Sequence, residues 1–217
     1  MSRILGMTSK TFTGWTLIAA PIMFFLVFFI GWSLVIGDAP TAADEVTGLL
    51  EKPFLSGIIV MMASILLPAT FVSYSLLAWS RADGSTTVGT LSSIASIVFI
   101  AIAAIVMVAS GSSFSVLGGS SENTKEAEWI VAVTNGFYPA IFWFWGLGNI
   151  ILGTALLIEK KINTIASGLL ILSGALMTIV HFLFGFDELQ EIFFMVPFGA
   201  VQIATVVLGI FTLRSDS

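Results

Sequence analysis

The chain has 217 residues, of which 57% are hydrophobic and 10% charged, with a net charge of −5 and no cysteine. That composition lies outside the range of a soluble globular domain, and the lack of cysteine excludes disulfides, thiolate metal sites, iron–sulfur clusters and cysteine nucleophiles. The basic residues form no cluster of the kind a nucleic-acid partner requires, and the long continuous apolar runs fit membrane helices, not the alternating strands of about ten residues found in membrane barrels.

At about 20 residues per span plus short connections, the length predicts an all-α integral membrane protein, one domain folded as a bundle of about six transmembrane helices. Residues 1–13 are polar and carry Arg3 and Lys10. The first span is expected over 14–37. Basic residues before it and Ala39, Ala42 and Ala43 after it resemble a secretion signal, but the run exceeds the apolar core of about 7 to 15 residues such signals use, which favours a retained helix. Asp38, Asp44, Glu45 and Glu51 then face Lys52 alone in an expected acidic loop, 38–52.

Pro53 opens span two, 53–79, where its missing N–H costs nothing. Pro68 in the middle of that span frees the carbonyl of Ser64 and predicts a kink, with the hydroxyls of Ser64 or Thr70 helping to satisfy the backbone. Arg81 and Asp83 mark a short loop, 80–87. Span three, 88–117, carries Gly89, Ser92, Ser93 and Ser96 at helical spacing, which suits close packing on another helix. After a loop rich in Gly and Ser, Asn123 and Glu126 have the spacing of a capping box.

Span four, 130–158, is unlike the others. Wound as one helix it puts Asn135, Pro139, Phe142, Gly146, Asn149 and Gly153 on one stripe, with Ile141, Phe144, Ile151 and Leu152 on the other side. An amide in hydrocarbon needs a partner and glycine admits a neighbouring backbone, so the stripe predicts burial at the centre of the bundle. The run Phe142-Trp143-Phe144-Trp145 suits a pocket for a quinone, carotenoid or lipid tail, although consecutive residues point around the whole helix and at most half can face one pocket. Lys160-Lys161 ends this span. Span five, 162–186, follows at once, then the acidic turn Asp187-Glu-Leu-Gln-Glu191, and span six, 192–213, carries Pro197 and Gln202.

If the N-terminal side is cytoplasmic, that side holds Arg3, Lys10, Arg81, Lys160, Lys161 and Arg214, and the other holds Lys52 and Lys125. Six against two predicts both termini in the cytoplasm, at a bacterial inner membrane, with a strongly acidic outer face. Pro21 and Pro139 each precede an aromatic pair by three and four residues, a match that a true repeat of three spans would invert in the membrane and that does not extend convincingly into the following spans.

His181 is the only histidine, so multi-histidine haem, di-iron and zinc sites cannot be assembled within the chain. Met177 and Glu188 share a face with it and make a weak candidate metal set. No charged residue falls well inside a predicted span, which excludes a retinal lysine and disfavours proton-coupled transport. No particular cofactor is implied. The function expected from the residues is non-enzymatic binding of a small or lipid-like ligand, or of a membrane partner or further copy, within the bundle. Asn135, Tyr138, Trp143, Asn149, His181 and Gln202 are the candidate ligand-binding residues. The rivals are a small channel or carrier fed by the acidic face, and a membrane-embedded enzyme or metal protein using His181 with Asp187 and Glu188.

From about residue 135 to 214 the chain resembles the C-terminal part of an uncharacterised bacterial six-span membrane family of unknown function. The resemblance rests on Lys160-Lys161, on Gly168-Leu-Leu-Ile-Leu-Ser-Gly174 and on Pro197-Phe-Gly199. It implies an architecture and no activity.

Overall fold

A computed structural model describes residues 9–37, 39–119, 123–184 and 191–215; the side chains of residues 181, 184 and 191–194 lie outside that description. All regular structure among the described residues is helical. Helix α1 (Ser9–Phe25) runs without a break into a π-helical segment, Leu26–Trp32, and a last turn, α2 (Ser33–Val35). Then come α3 (Ala42–Glu51), α4 (Pro53–Trp79), α5 (Thr87–Gly119), α6 (Thr124–Asn135), α7 (Tyr138–Glu159), α8 (Thr164–Phe184) and α9 (Glu191–Arg214). Among the described residues, five stretches are long and apolar enough to cross a membrane: Ser9–Val35, Pro53–Trp79, Thr87–Gly119, Thr124–Glu159 and Met195–Arg214. Helix α8 adds a shorter apolar stretch, Thr164–Val180.

The long helices pack in sequence order, α1 on α4, α4 on α5, α5 on α7, α7 on α8, α8 on α9, and α9 back on α1. In a lipid setting, contact of this kind needs small residues that let backbones approach, and they sit at the seams. A Cβ built on Gly209 would meet the Gly14 carbonyl oxygen at 2.8 Å, and one on Gly148 would meet the Phe99 ring at 2.9 Å. Ser75 and Ser96, one of the small residues expected to pack, join α4 to α5 by a 2.8 Å hydroxyl pair. At one end the α4–α5 turn meets the end of α7, and the α7–α8 turn and the start of α1 meet the end of α9. There Arg81 donates from Nε to Glu159 at 2.8 Å, and Lys10 donates from Nζ to the carbonyl of Ser215. The short helices α3 and α6 lie together across the opposite end, against α4 and α5.

Several local expectations are corrected. The acidic segment 38–52 is not a loop but contains α3, started by a capping box in which the Asp44 N–H donates to the Thr41 hydroxyl at 3.2 Å and the Thr41 N–H donates to the Asp44 carboxylate at 3.2 Å. The apolar residues Val46 and Leu49 bury against Ile36, Val60, Val116 and Val131, so the helix forms because one face has a core to cover. The fourth span is not one helix. The chain turns at Gly136 and Phe137, with the Phe137 N–H donating to the Thr134 carbonyl at 2.9 Å, and Pro139 falls in the first turn of the new helix α7, where it needs no hydrogen bond. Asn135 therefore ends α6 and leaves the stripe, while Gly146, Asn149 and Gly153 are buried as expected. Ile141 and Leu152 also bury, contrary to the expected outward face.

Asn123 does not cap α6; its amide donates instead to Glu126 at 3.2 Å. Around Pro68 the hydroxyls of Ser64 and Thr70 donate to the carbonyls of Val60 and Leu66, so neither reaches the oxygen the proline frees.

Candidate functional site: an aromatic cavity under a two-helix cap

A cavity of about 740 Å³ opens in the half of the molecule that α3 and α6 cover. Its first wall is a column of aromatic residues four apart, Phe24, Phe28 and Trp32, with ring centroids 5.4 and 5.6 Å apart. In a plain α-helix residues spaced by four drift steadily around the axis. The wider π turn over Leu26–Trp32 counters that drift and keeps the column facing inward. Val60, Ala63 and Leu67 of α4 form the second wall, Val106 and Ala109 of α5 the third, and Ile141 and Phe142 of α7 the fourth. Polar groups are few: Ser64, Ser110, Ser113, Asn135 and Tyr138.

The floor is aromatic. Phe198 of α9 stands 6.1 Å from Phe24 and 6.4 Å from Phe142, and Trp145 lies beneath, edge-on to Phe198 at 5.9 Å and to Phe71 at 4.8 Å. Tyr74 and Phe99 stack at 4.5 Å. Such edge-on and stacked pairs each add about 0.5–1.5 kcal/mol beyond burial. Below this plug lies a polar layer. The Tyr74 and Thr205 hydroxyls are 2.5 Å apart, and Trp145 and Asn149 stand beside Tyr74, although the Trp145 Nε1 and both atoms of the Asn149 amide fall outside hydrogen-bond geometry with any group among the described residues.

The sequence-predicted candidates thus divide. Asn135 and Tyr138 line the cavity. Asn149 is 0% exposed in the polar layer, and Gln202 is buried on α9; among the described residues neither amide forms the interhelical hydrogen bond expected of it. Trp143 is 38% exposed and outside the cavity, and Trp145 takes the inward place instead. Met177 is buried on α8, whereas the His181 side chain and Glu188 lie outside the described residues. No group of three potential His, Cys, Asp or Glu metal ligands occurs among the described residues.

One residue at the cap was not singled out from the sequence. Glu45 of α3 accepts a hydrogen bond from the Asn135 amide at 3.2 Å and lies within electrostatic reach of Tyr138. Its signal was the Thr41–Asp44 box followed by Val46 and Leu49, which places Glu45 beside an apolar face. Burial raises its pKa above the ordinary carboxylate value, partly opposed by the Asn135 hydrogen bond. A carboxyl with a raised folded pKa holds more protons folded than unfolded, so its contribution is present at low pH and is lost as pH climbs through the raised value. Glu45→Gln should remove that loss. Thermal melts in detergent from about pH 4 to pH 8 should show a flatter profile for the variant than for the parent, with an equal or higher midpoint at the alkaline end; a steeper decline would contradict the burial argument.

Compared with protein-family models, with curated proteins and with solved structures, the chain matches none.

Proposed function

We propose that the chain binds a small lipid-like molecule in the cavity beneath α3 and α6, as a non-enzymatic protein of the bacterial inner membrane. The observation that carries this reading is the cavity itself. About 740 Å³ falls inside the range of about 300–1,000 Å³ typical of small-ligand sites, and apolar walls with a few convergent polar groups are their usual lining. Ala109 is a small residue on the α5 wall, so Ala109→Phe should fill the space without disturbing a helix seam. Native mass spectrometry of gently purified protein should find a co-purifying small molecule or lipid on the parent and not on the variant. Equal retention by both would remove the cavity as its site.

Under the same reading α8 crosses the membrane as a sixth span, in line with the resemblance to a six-span family, and both termini face the cytoplasm. Support comes from the basic residues Lys10, Arg81, Lys160, Lys161 and Arg214, which belong to one end of the molecule, while α3 and α6 cover the other. Impermeant reagents applied from outside should label cysteines placed at Asp44 or Lys125 and miss those at Arg81 or Lys160. Labelling at Lys160 from outside would reverse the orientation.

A further inference from the structure

An apolar cavity accepts many molecules; what selects among them is the charge at its mouth. Glu45 is partly buried one layer behind the lining: it is not itself a wall residue, but Asn135, which is, donates to it, and it lies within electrostatic reach of Tyr138. The ion pairs among the described residues, Arg81–Glu159 and Lys161–Glu159, both lie at the opposite end, so Glu45 has no cationic partner among the described residues. A half-buried carboxylate left unpaired is costly, and a mobile counter-charge that reaches it is correspondingly favoured. Around it the chain places further acids, Asp44, Glu51, Glu126 and Glu128, with Lys52 and Lys125 as the basic residues of that end. The resulting field repels anions.

Beneath, the walls carry the aromatic side chains of Phe28, Trp32, Tyr138 and Phe142. Aromatic faces attract cations more strongly once water is excluded.

Resting on the ligand-binding reading above, we propose that the cavity selects amphiphiles with a cationic amine head, the amine seated at Asn135 and Tyr138 in the field of Glu45 and the alkyl chain lying along Phe24, Phe28 and Trp32. The amine supplies the counter-charge that the protein withholds, and its N–H groups donate to the Oδ1 of Asn135, whose Nδ2 in turn donates to Glu45. A neutral alcohol of the same length gains the apolar contacts only. A carboxylate-headed chain gains them against repulsion.

The test compares octylammonium, octanol and octanoate on the full chain held in an uncharged amphipol, read by the change in tryptophan emission, to which Trp32 in the cavity wall contributes. Ala109→Phe, or Ala63→Phe from the α4 wall, serves as the blank for partition elsewhere. Octylammonium should bind about tenfold more tightly than octanol, the margin of a charge-assisted over a neutral hydrogen bond, with octanoate weakest. In Glu45→Gln that margin should vanish while octanol binding stays unchanged. Equal affinity for octylammonium and octanol on the parent, or a margin that survives in Glu45→Gln, overturns the amine assignment and leaves the cavity as a site. Octanol signals that are the same in the parent and both filled variants overturn the cavity reading itself, and the amine assignment with it.

Discussion

Gly146→Leu should abolish the folded protein. A Cβ at position 146 already meets the Gly174 carbonyl oxygen at 2.7 Å, the Thr178 nitrogen at 3.2 Å and, closer still, the Thr178 hydroxyl. Across the seam, a Cβ on Gly174 would meet the Gly146 oxygen at 2.5 Å, and further along one on Gly153 would meet Ile171 at 2.7 Å and the Ser167 oxygen at 3.0 Å. These obstacles include backbone, which cannot swing aside as a side chain does, so α7 and α8 must separate. Overpacking of one group costs about 1–3 kcal/mol, which sets the expectation for Gly146→Ala; leucine adds three more carbons to the same space. Gel filtration in mild detergent should show the monodisperse peak of Gly146→Leu reduced to about a tenth or less of the parent, since the strain exceeds that of a single added methyl group. Leu147→Phe, half-buried on a neighbouring face, should keep its peak. A Gly146→Leu protein that purifies and melts like the parent would mean that α7 and α8 are not in contact along this line.

Trp145→Ala should be the costliest truncation of a single side chain. Trp145 is 0% exposed and wedged between Phe71 and Phe198, where its removal leaves a hole directly under the cavity floor. Burial of that size, once lost, costs about 3–5 kcal/mol. Trp143, two positions earlier and 38% exposed, lies on the side of the helix turned away from the cavity, and Trp143→Ala should stay within about 0.5 kcal/mol of the parent. Unfolding by denaturant in micelles measures both. The opposite ranking would show that α7 is rotated so that Trp143 points inward.

That pair of tryptophans also shows what a sequence can and cannot disclose. Four consecutive aromatic residues point to all sides of a helix, so nothing in Phe142-Trp143-Phe144-Trp145 says which ring faces in. Gly146, Asn149 and Gly153 were legible because small and polar residues on an apolar helix have a physical reason to avoid lipid. Helicity and the membrane setting were legible from composition. The turn at Gly136 and Phe137 was hidden because the apolar run continues through it, and Pro139 reads equally well as a kink inside one helix or as the first turn of another. Helix α3 was hidden by its charges: its acids suggested solvent, and the burial of Val46 and Leu49 depends on α4, α5 and α6 arriving from far along the chain. The cavity needed both corrections, since Asn135 and Tyr138 meet Glu45 only because one helix breaks and another exists. The π segment left no mark in the sequence.

The seam between α1 and α9 has a consequence for how the molecule comes into being. Gly14 and Gly209 touch, and Lys10 reaches Ser215, a residue 205 positions later. At a synthesis rate of about 5–20 residues per second, roughly 10 to 40 s separate the appearance of the two surfaces. For that interval the glycine face of α1 meets lipid, and a neighbouring chain whose α9 is made but not yet closed on its own α1 offers the same complementary groove. Crowded synthesis therefore favours exchange of α1 between chains, and slow, sparse expression favours each chain closing on itself.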